Sequence, residues 1–284
     1  MNMSKSKNAI EKRVRGALYG FAIGDAMGAT TEFMTKESIK KVYGEVNEIM
    51  GGGWLNLEQG QVTDDTQMTL CVIDALENSN CNEGQFKRYL KSNFIAWYNG
   101  KPKDVGCQCT KAINHLMEGY DYAEVDNESL GNGSLMRAMP CAILKEMKLN
   151  LIQSRMTHHS YIVDKYIYEY EYLLCNILYD SYPEGPNLPQ IKTKPTGYIF
   201  NTLNNSKYYL GHSRSFEEGM IEAVNDGGDA DTIAAITGSL LGAKFGYDSI
   251  PKIWINQLNN DVKKELKNFN NFAKIYLQSK SYMI

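Results

Sequence analysis

The chain has 284 residues, 43% hydrophobic and 22% charged, with 30 basic against 33 acidic side chains and a formal net charge of −3. This balance excludes an intrinsically disordered chain and leaves no basic footprint for a polyphosphate backbone, so a nucleic acid is not expected as a partner. The N-terminal lysines lead into an amphipathic pattern rather than a signal peptide's apolar stretch, and no run long enough to span a bilayer occurs. A cytoplasmic chain with no membrane partner is expected.

In chain order, the first element is a helix in which Ile10, Val14, Ala17, Leu18 and Phe21 recur at three and four residues. Gly16, Gly20, Gly24 and Gly28 recur on it every fourth residue. Each glycine in a helix interior costs roughly 1 kcal/mol against alanine, so such a stripe needs a return, and close approach of two helix backbones supplies one. Glu11, Lys12, Arg13, Arg15 and Asp25 rule out a membrane span for this segment. Short strand-like stretches are read near 46–50 and 198–203, and Gly51-Gly52-Gly53-Trp54 reads as a flexible turn.

Next comes Thr63-Asp64-Asp65-Thr66, with Thr63 or Asp64 capping the helix that carries Met68, Cys71, Val72 and Ala75. The six cysteines are dispersed and are expected to be reduced thiols. Gly131-Asn132-Gly133-Ser134 precedes Leu135-Met136-Arg137; it reads either as a plain turn or as a turn entering a helix whose amides receive an anion. Pro183, Pro186, Pro189 and Pro195 mark an irregular excursion over about 180–211. Asn225-Asp226-Gly227-Gly228-Asp229-Ala230-Asp231-Thr232 then opens a second glycine-striped helix, capped by Asp231 or Thr232 and carrying Gly238, Gly242 and Gly246. The pattern predicts an all-α fold, with residues 1–284 forming one domain.

Capping explains one oxygen at each helix mouth. It does not explain adjacent carboxylates at 64 and 65, a second pair at 229 and 231, and flanking hydroxyls. If the two mouths converge, that many like charges need cations to neutralise them. An all-oxygen donor set favours hard divalent ions such as magnesium or manganese, and four carboxylates suit two ions better than one.

Taken in order, Gly16 to Gly28 with Asp25, Glu32-Phe33, Thr63-Asp64-Asp65-Thr66, the segment from Gly131 to Arg137, Thr157-His158, and Gly227-Gly228-Asp229-Ala230-Asp231-Thr232 resemble the ADP-ribosylglycohydrolase family. The resemblance covers nearly the whole chain. It implies a single-domain orthogonal helical bundle with a central cleft holding two divalent cations, Mg2+ or Mn2+. The implied activity is metal-dependent hydrolysis of the bond between ADP-ribose and a protein side chain, most plainly arginine, which makes an ADP-ribosylated protein the substrate. A cognate ADP-ribosyltransferase is an expected further partner.

By matching position, Thr63, Asp64 and Asp65 would bind one ion, Asp229 and Thr232 the other, and Asp231 both. Glu32, on a loop that is mobile in the family, and Asp65 would serve catalysis. Gly131, Asn132, Gly133, Ser134, Met136, Arg137, His158, Gly227 and Gly228 would contact the ribose and diphosphate, and Asp104 would face a guanidinium. The resemblance leaves two alternatives: cleavage of serine-linked or other O-linked ADP-ribose, and an immunity protein that blocks a transferase by occupying it. A metal phosphohydrolase acting on nucleotides would share the carboxylate cluster.

Overall fold

A computed structural model describes residues 3–179 and 188–280. Among them the fold is all-α, with thirteen α-helices and one 3-10 turn. They run α1 (Met3–Gly28), α2 (Lys36–Tyr43), α3 (Asp64–Ser79), α4 (Glu83–Asn99), α5 (Cys107–Met117), α6 (Met139–Leu144) and α7 (Met147–Thr157). The second half contains α8 (Tyr161–Leu178), α9 (Ile199–His212), α10 (Phe216–Asn225), α11 (Ala230–Phe245), α12 (Lys252–Gln257) and α13 (Asn260–Ser279). Extended pairing among the described residues is limited to four isolated bridges.

The two glycine-striped helices form the central pair. A methyl carbon placed on Gly16 would lie 2.8 Å from the Gly242 carbonyl carbon, and one on Gly20 would lie 2.8 Å from that of Gly238, closer still to the oxygens. Gly24 meets Ala234 and Gly28 meets Ala230 in the same way. Each step of four along α1 is matched by a step of four back along α11, so the pair is antiparallel and in backbone contact. Helix α11 is buried on every side from Ala230 to Ala243, as a helix at the centre of a bundle must be. One apolar cluster surrounds the pair and takes in residues from Ile10 to Leu277.

Two sequence expectations are corrected here. Residues 46–50 form no strand, and of 198–203 only Tyr198 is extended, in an isolated bridge with Gly131, while 199–203 start helix α9. The excursion read as 180–211 therefore ends at Tyr198. Its prolines cluster at its beginning and middle, and the apolar spacing of Ile199, Leu203 and Leu210 builds a helix that buries all three. Pro183 and Pro186 lie outside the described residues.

Candidate active site

Because α1 and α11 are antiparallel, the C-terminus of one lies beside the N-terminus of the other. Glu32, in the turn after α1, is thereby brought to Asp229 and Asp231, and one carboxylate oxygen from each of the three lies within 4.8 Å of the other two. Asp25 draws in the third element. Buried within α1, its carboxylate accepts from the backbone N–H of Thr63 at 3.0 Å and of Thr66 at 3.0 Å, which fixes the mouth of α3 against α1. Thr63 is the N-cap of α3, its hydroxyl accepting from the Asp65 N–H. The N-cap of α11 is Asp229 rather than Asp231 or Thr232, and its carboxylate makes no capping bond. That carboxylate instead accepts from the Asn132 amide at 2.6 Å, while the Thr232 hydroxyl donates to Asp65 at 3.3 Å across the two helix mouths.

The result is a cleft of about 280 Å³, near the lower end of the size range of small-molecule sites. Of the residues expected from the sequence, it is lined by Glu32, Asp64, Asp65, Asp104, Gly131, Asn132, Gly133, Ser134, Met136, His158, Asp229, Asp231 and Thr232. Four others do not line it. Thr63 stands behind the α3 mouth and borders a neighbouring groove. Gly227 and Gly228 have positive φ, and a side chain on either would strike the Met34 or the Pro195 backbone, so their role is to let three chain segments touch.

Arg137 is the fourth. It lies in a turn rather than on a helix, since α6 starts only at Met139, and it is fully buried. Its guanidinium donates to the Gly133 carbonyl, to the Gln153 side chain at 2.9 Å and to the Thr157 hydroxyl. Gln153 donates in turn to Ser134 O and to Asn150, and Asn150 to Ala138 O and to Glu171 at 2.6 Å. This chain of buried donors engages the carbonyls of 133, 134 and 138, and none of Arg137, Asn150 and Gln153 lines the cleft. His158 is likewise held by the backbone. Burial lowers its pKa, which favours the neutral ring, and Nε2–H donates to Ser129 O at 2.7 Å.

Electrostatically the cleft is overloaded with negative charge. Burial first, then repulsion from Asp104, Asp25 and Asp229, pushes Asp64 up to about 8. Burial raises Glu32 to about 8 against the pull of its Trp54 hydrogen bond, and raises Asp229 to about 6. Asp65 and Asp231 rise well above the usual carboxylate range, again through burial first, then through repulsion from Asp231 and Asp25 on Asp65 and from Glu32 and Asp229 on Asp231. Asp65 Oδ2, Asp231 Oδ1 and Thr66 Oγ1 are buried without a hydrogen-bond partner. Unpaired buried oxygens are costly, and a hard cation is the group that would satisfy several of them together. The donor set therefore fits divalent metal.

Sequence reasoning missed Asp25, Phe33, Trp54, Thr157 and the cleft-lining start of α5 from Gly106 to Cys109 as parts of the site. Asp25 carried a signal, a lone acid inside a glycine stripe. Trp54 carried a weaker one, in the three glycines before it. Its indole N–H donates to Glu32 Oε2 at 2.6 Å, so Glu32 is a buried, tethered carboxylate and not a solvated one.

Comparison with known proteins agrees with this architecture. The model of the ADP-ribosylglycohydrolase family matches residues 6–166 and 172–281. The ADP-ribosyl-[dinitrogen reductase] glycohydrolase of Rhodospirillum rubrum is 33% identical over 91% of this chain and 94% of its own length. The ADP-ribosylarginine hydrolase Tri1 of Serratia proteamaculans is 28% identical over 87% of this chain and 75% of its own. A solved structure, an ADP-ribosylglycohydrolase-related protein complex, superposes with a TM-score of 0.78 at 27% identity, covering 95% of this chain and 99% of that one. With the family match running through both carboxylate-bearing helix mouths, the chain belongs to the ADP-ribosylglycohydrolase family.

Proposed function

We propose that this protein hydrolyses the glycosidic bond between ADP-ribose and a protein arginine, using two Mg2+ or Mn2+ ions. The observation that carries this reading is the meeting of Glu32, Asp64, Asp65, Asp229 and Asp231 in one cleft with buried oxygens left unpaired. The similarity to the R. rubrum and S. proteamaculans hydrolases, whose names specify a dinitrogen-reductase and an arginine conjugate, directs it to a protein-linked ADP-ribose. Half-buried Asp104 on the cleft wall supplies a carboxylate for a cationic leaving group. By this reading the further partner is the transferase whose modification is reversed.

Asp64, Asp65, Asp229, Asp231 and Thr232 would hold the ions, with Glu32 within reach of the Asp229 and Asp231 oxygens and Thr63 supporting them as the cap of α3. When bound, the ions would neutralise the carboxylates, fix the ribose hydroxyls and lower the pKa of water. The chain's own residues do the rest. Gly131 to Ser134 line the same cleft as the acids, Asn132 bonding directly to Asp229, and the carbonyls of 133 and 134 are engaged by Arg137 and Gln153, which removes two acceptors that would repel an anionic diphosphate. Asn132 orients Asp229, and Thr232 orients Asp65. Cleavage through an oxocarbenium-like state needs one group to take a proton from water and one to assist the departing nitrogen. Glu32 and Asp65 are the residues we assign to proton transfer: Trp54 tethers one Glu32 oxygen, and Asp65 Oδ2 has no competing partner.

The test is chromatographic. The protein is incubated with arginine-linked and serine-linked ADP-ribosyl peptides and Mg2+ or Mn2+, and the released nucleotide is identified. Intact ADP-ribose from the arginine-linked peptide is expected, with release lost on adding EDTA and in Asp229→Ala or Asp231→Ala. Release of AMP, or full turnover by metal-free protein, would overturn the proposal.

A further inference from the structure

The Gly51-Gly52-Gly53-Trp54 segment, which reads as a flexible turn in the sequence, is built to a purpose. All three glycines have positive φ, at 73°, 80° and 65°. A side chain on Gly51 would meet the backbone at 57–59, and one on Gly53 would strike the Ala29 carbonyl. The Thr30 hydroxyl donates to Gly51 O at 3.0 Å, fastening the loop to the turn that carries Glu32. The outcome is an indole delivered to Glu32 while Trp54 as a residue stays 52% exposed.

Phe33 is placed against its own backbone preference. It has φ of 60°, a region an aromatic residue rarely adopts. It is held there by two backbone bonds to Gly228, Phe33 N to Gly228 O at 2.6 Å and Gly228 N to Met34 O at 2.9 Å. The strain sends a benzyl side chain outward to the cleft wall, 68% exposed, with its ring centroid 5.4 Å from that of Trp54 and tilted by 46°. Two large aromatics thus stand in water immediately beyond Glu32, on a cleft whose wall also carries Asp104. Burying them would have stabilised the fold, and neither is buried.

We propose that Phe33 and Trp54 form an aromatic lip that selects a planar cation as the leaving group, with Phe33 as the contact surface and Trp54 both backing that ring and orienting Glu32. This inference rests on the functional reading above and deepens it. A protein-borne acceptor has to cross the cleft mouth, and a guanidinium lies flat on an aromatic face while a carboxylate pairs with its edge. A serine oxygen offers neither a plane nor a charge to such a lip.

The experiment compares Phe33→Leu and Trp54→Phe with the unaltered protein on arginine-linked and serine-linked ADP-ribosyl peptides, with circular dichroism to check folding. Phe33→Leu is expected to raise KM for the arginine-linked peptide about five- to tenfold with kcat within twofold, in line with a cation–π contact. Its kinetics on the serine-linked peptide are expected to stay within twofold. Trp54→Phe keeps a ring but removes the Glu32 hydrogen bond, and is expected to lower kcat more than it changes KM. Arginine methyl ester is expected to inhibit the unaltered protein more strongly than Phe33→Leu. If the unaltered protein cleaves the arginine-linked peptide and Phe33→Leu leaves its KM unchanged, or weakens both peptides equally, the lip is overturned and the functional reading stands. If the unaltered protein releases ADP-ribose from neither peptide, or from the serine-linked one alone, the functional reading falls and the lip with it.

Discussion

Glu171 sits 3% exposed at the far end of the hydrogen-bonded chain that begins at Arg137, with the Asn150 amide as its donor. Burial pushes its pKa up to about 7 from an ordinary 4.5. A carboxyl whose folded pKa is raised binds its proton more tightly in the folded state, so the stability it contributes is present below pH 4.5 and is lost as pH rises through 7. The shift corresponds to about 3 kcal/mol as an order of magnitude. Glu171→Gln keeps an oxygen for Asn150 and removes the ionisation. The variant is expected to unfold at higher denaturant than the parent at pH 8 and to lose that advantage at pH 5, as followed by circular dichroism; an advantage independent of pH would count against the argument.

Residue roles were legible in the sequence where chemistry is local and hidden where it is tertiary. The carboxylate pairs at 64 and 65 and at 229 and 231 announced themselves by their doubling, and the structure brings them into one cleft. Arg137 is placed at the substrate only by the resemblance of the segment from Gly131 to Arg137 to the family's, and its residue type alone equally suits a salt-bridged position. Only the packing of α7 shows that its donors are consumed by Gln153, Thr157 and Gly133. The three glycines before Trp54 mark a special backbone, but they do not say where the loop lands, so its pairing with Glu32 is visible only in the structure.

Among the elements, the α1 and α11 pair is the one whose geometry is least forgiving. Alanine at Gly20 would gain helix propensity, yet its methyl would sit on the backbone of Gly238, which cannot move aside as a flexible side chain would. Overpacking of this kind typically costs about 1–3 kcal/mol and more when the neighbour is rigid. Gly84 on α4 is exposed and meets only Asn82 Oδ1, at 3.8 Å. Gly20→Ala is therefore expected to lower Tm by several degrees and Gly84→Ala to raise it slightly, by about 0.4–1 kcal/mol in stability. Equal effects from the two changes would refute the backbone-contact explanation. The ladders were visible from their four-residue repeat. The start of α11 is shifted from the expected cap at Asp231 or Thr232 to Asp229, because several acids at this mouth could cap and only tertiary contacts, the Asp229 N–H to Pro195 O bond and the packing of Gly28 on Ala230, choose among them.

At the scale of the whole molecule, we propose that residues 1–284 fold as a single domain, because the acids that meet in the cleft lie on helices from opposite ends of the chain. Cation binding would then stabilise the whole and not one part. At a concentration one hundred times the Kd, a bound ion adds about 2.7 kcal/mol, or roughly 5 °C or more in Tm. Mn2+ is expected to shift one cooperative transition upward in the parent, and EDTA to reverse the shift. Asp231→Ala is expected to abolish the response. Two separate transitions, only one responsive to metal, would refute the single unit.

The antiparallel contact of α1 with α11 also bears on how the protein is made. Helix α1 leaves the ribosome well before α11, and the surface that covers its glycine stripe is encoded some two hundred residues later, between Ala230 and Gly242. Until then the nascent chain carries a bare, narrow groove with no native occupant, and closing so long a loop is slow. Formation of the carboxylate-lined cleft is therefore a late event of biogenesis, and an incomplete chain ending before α11 cannot assemble it.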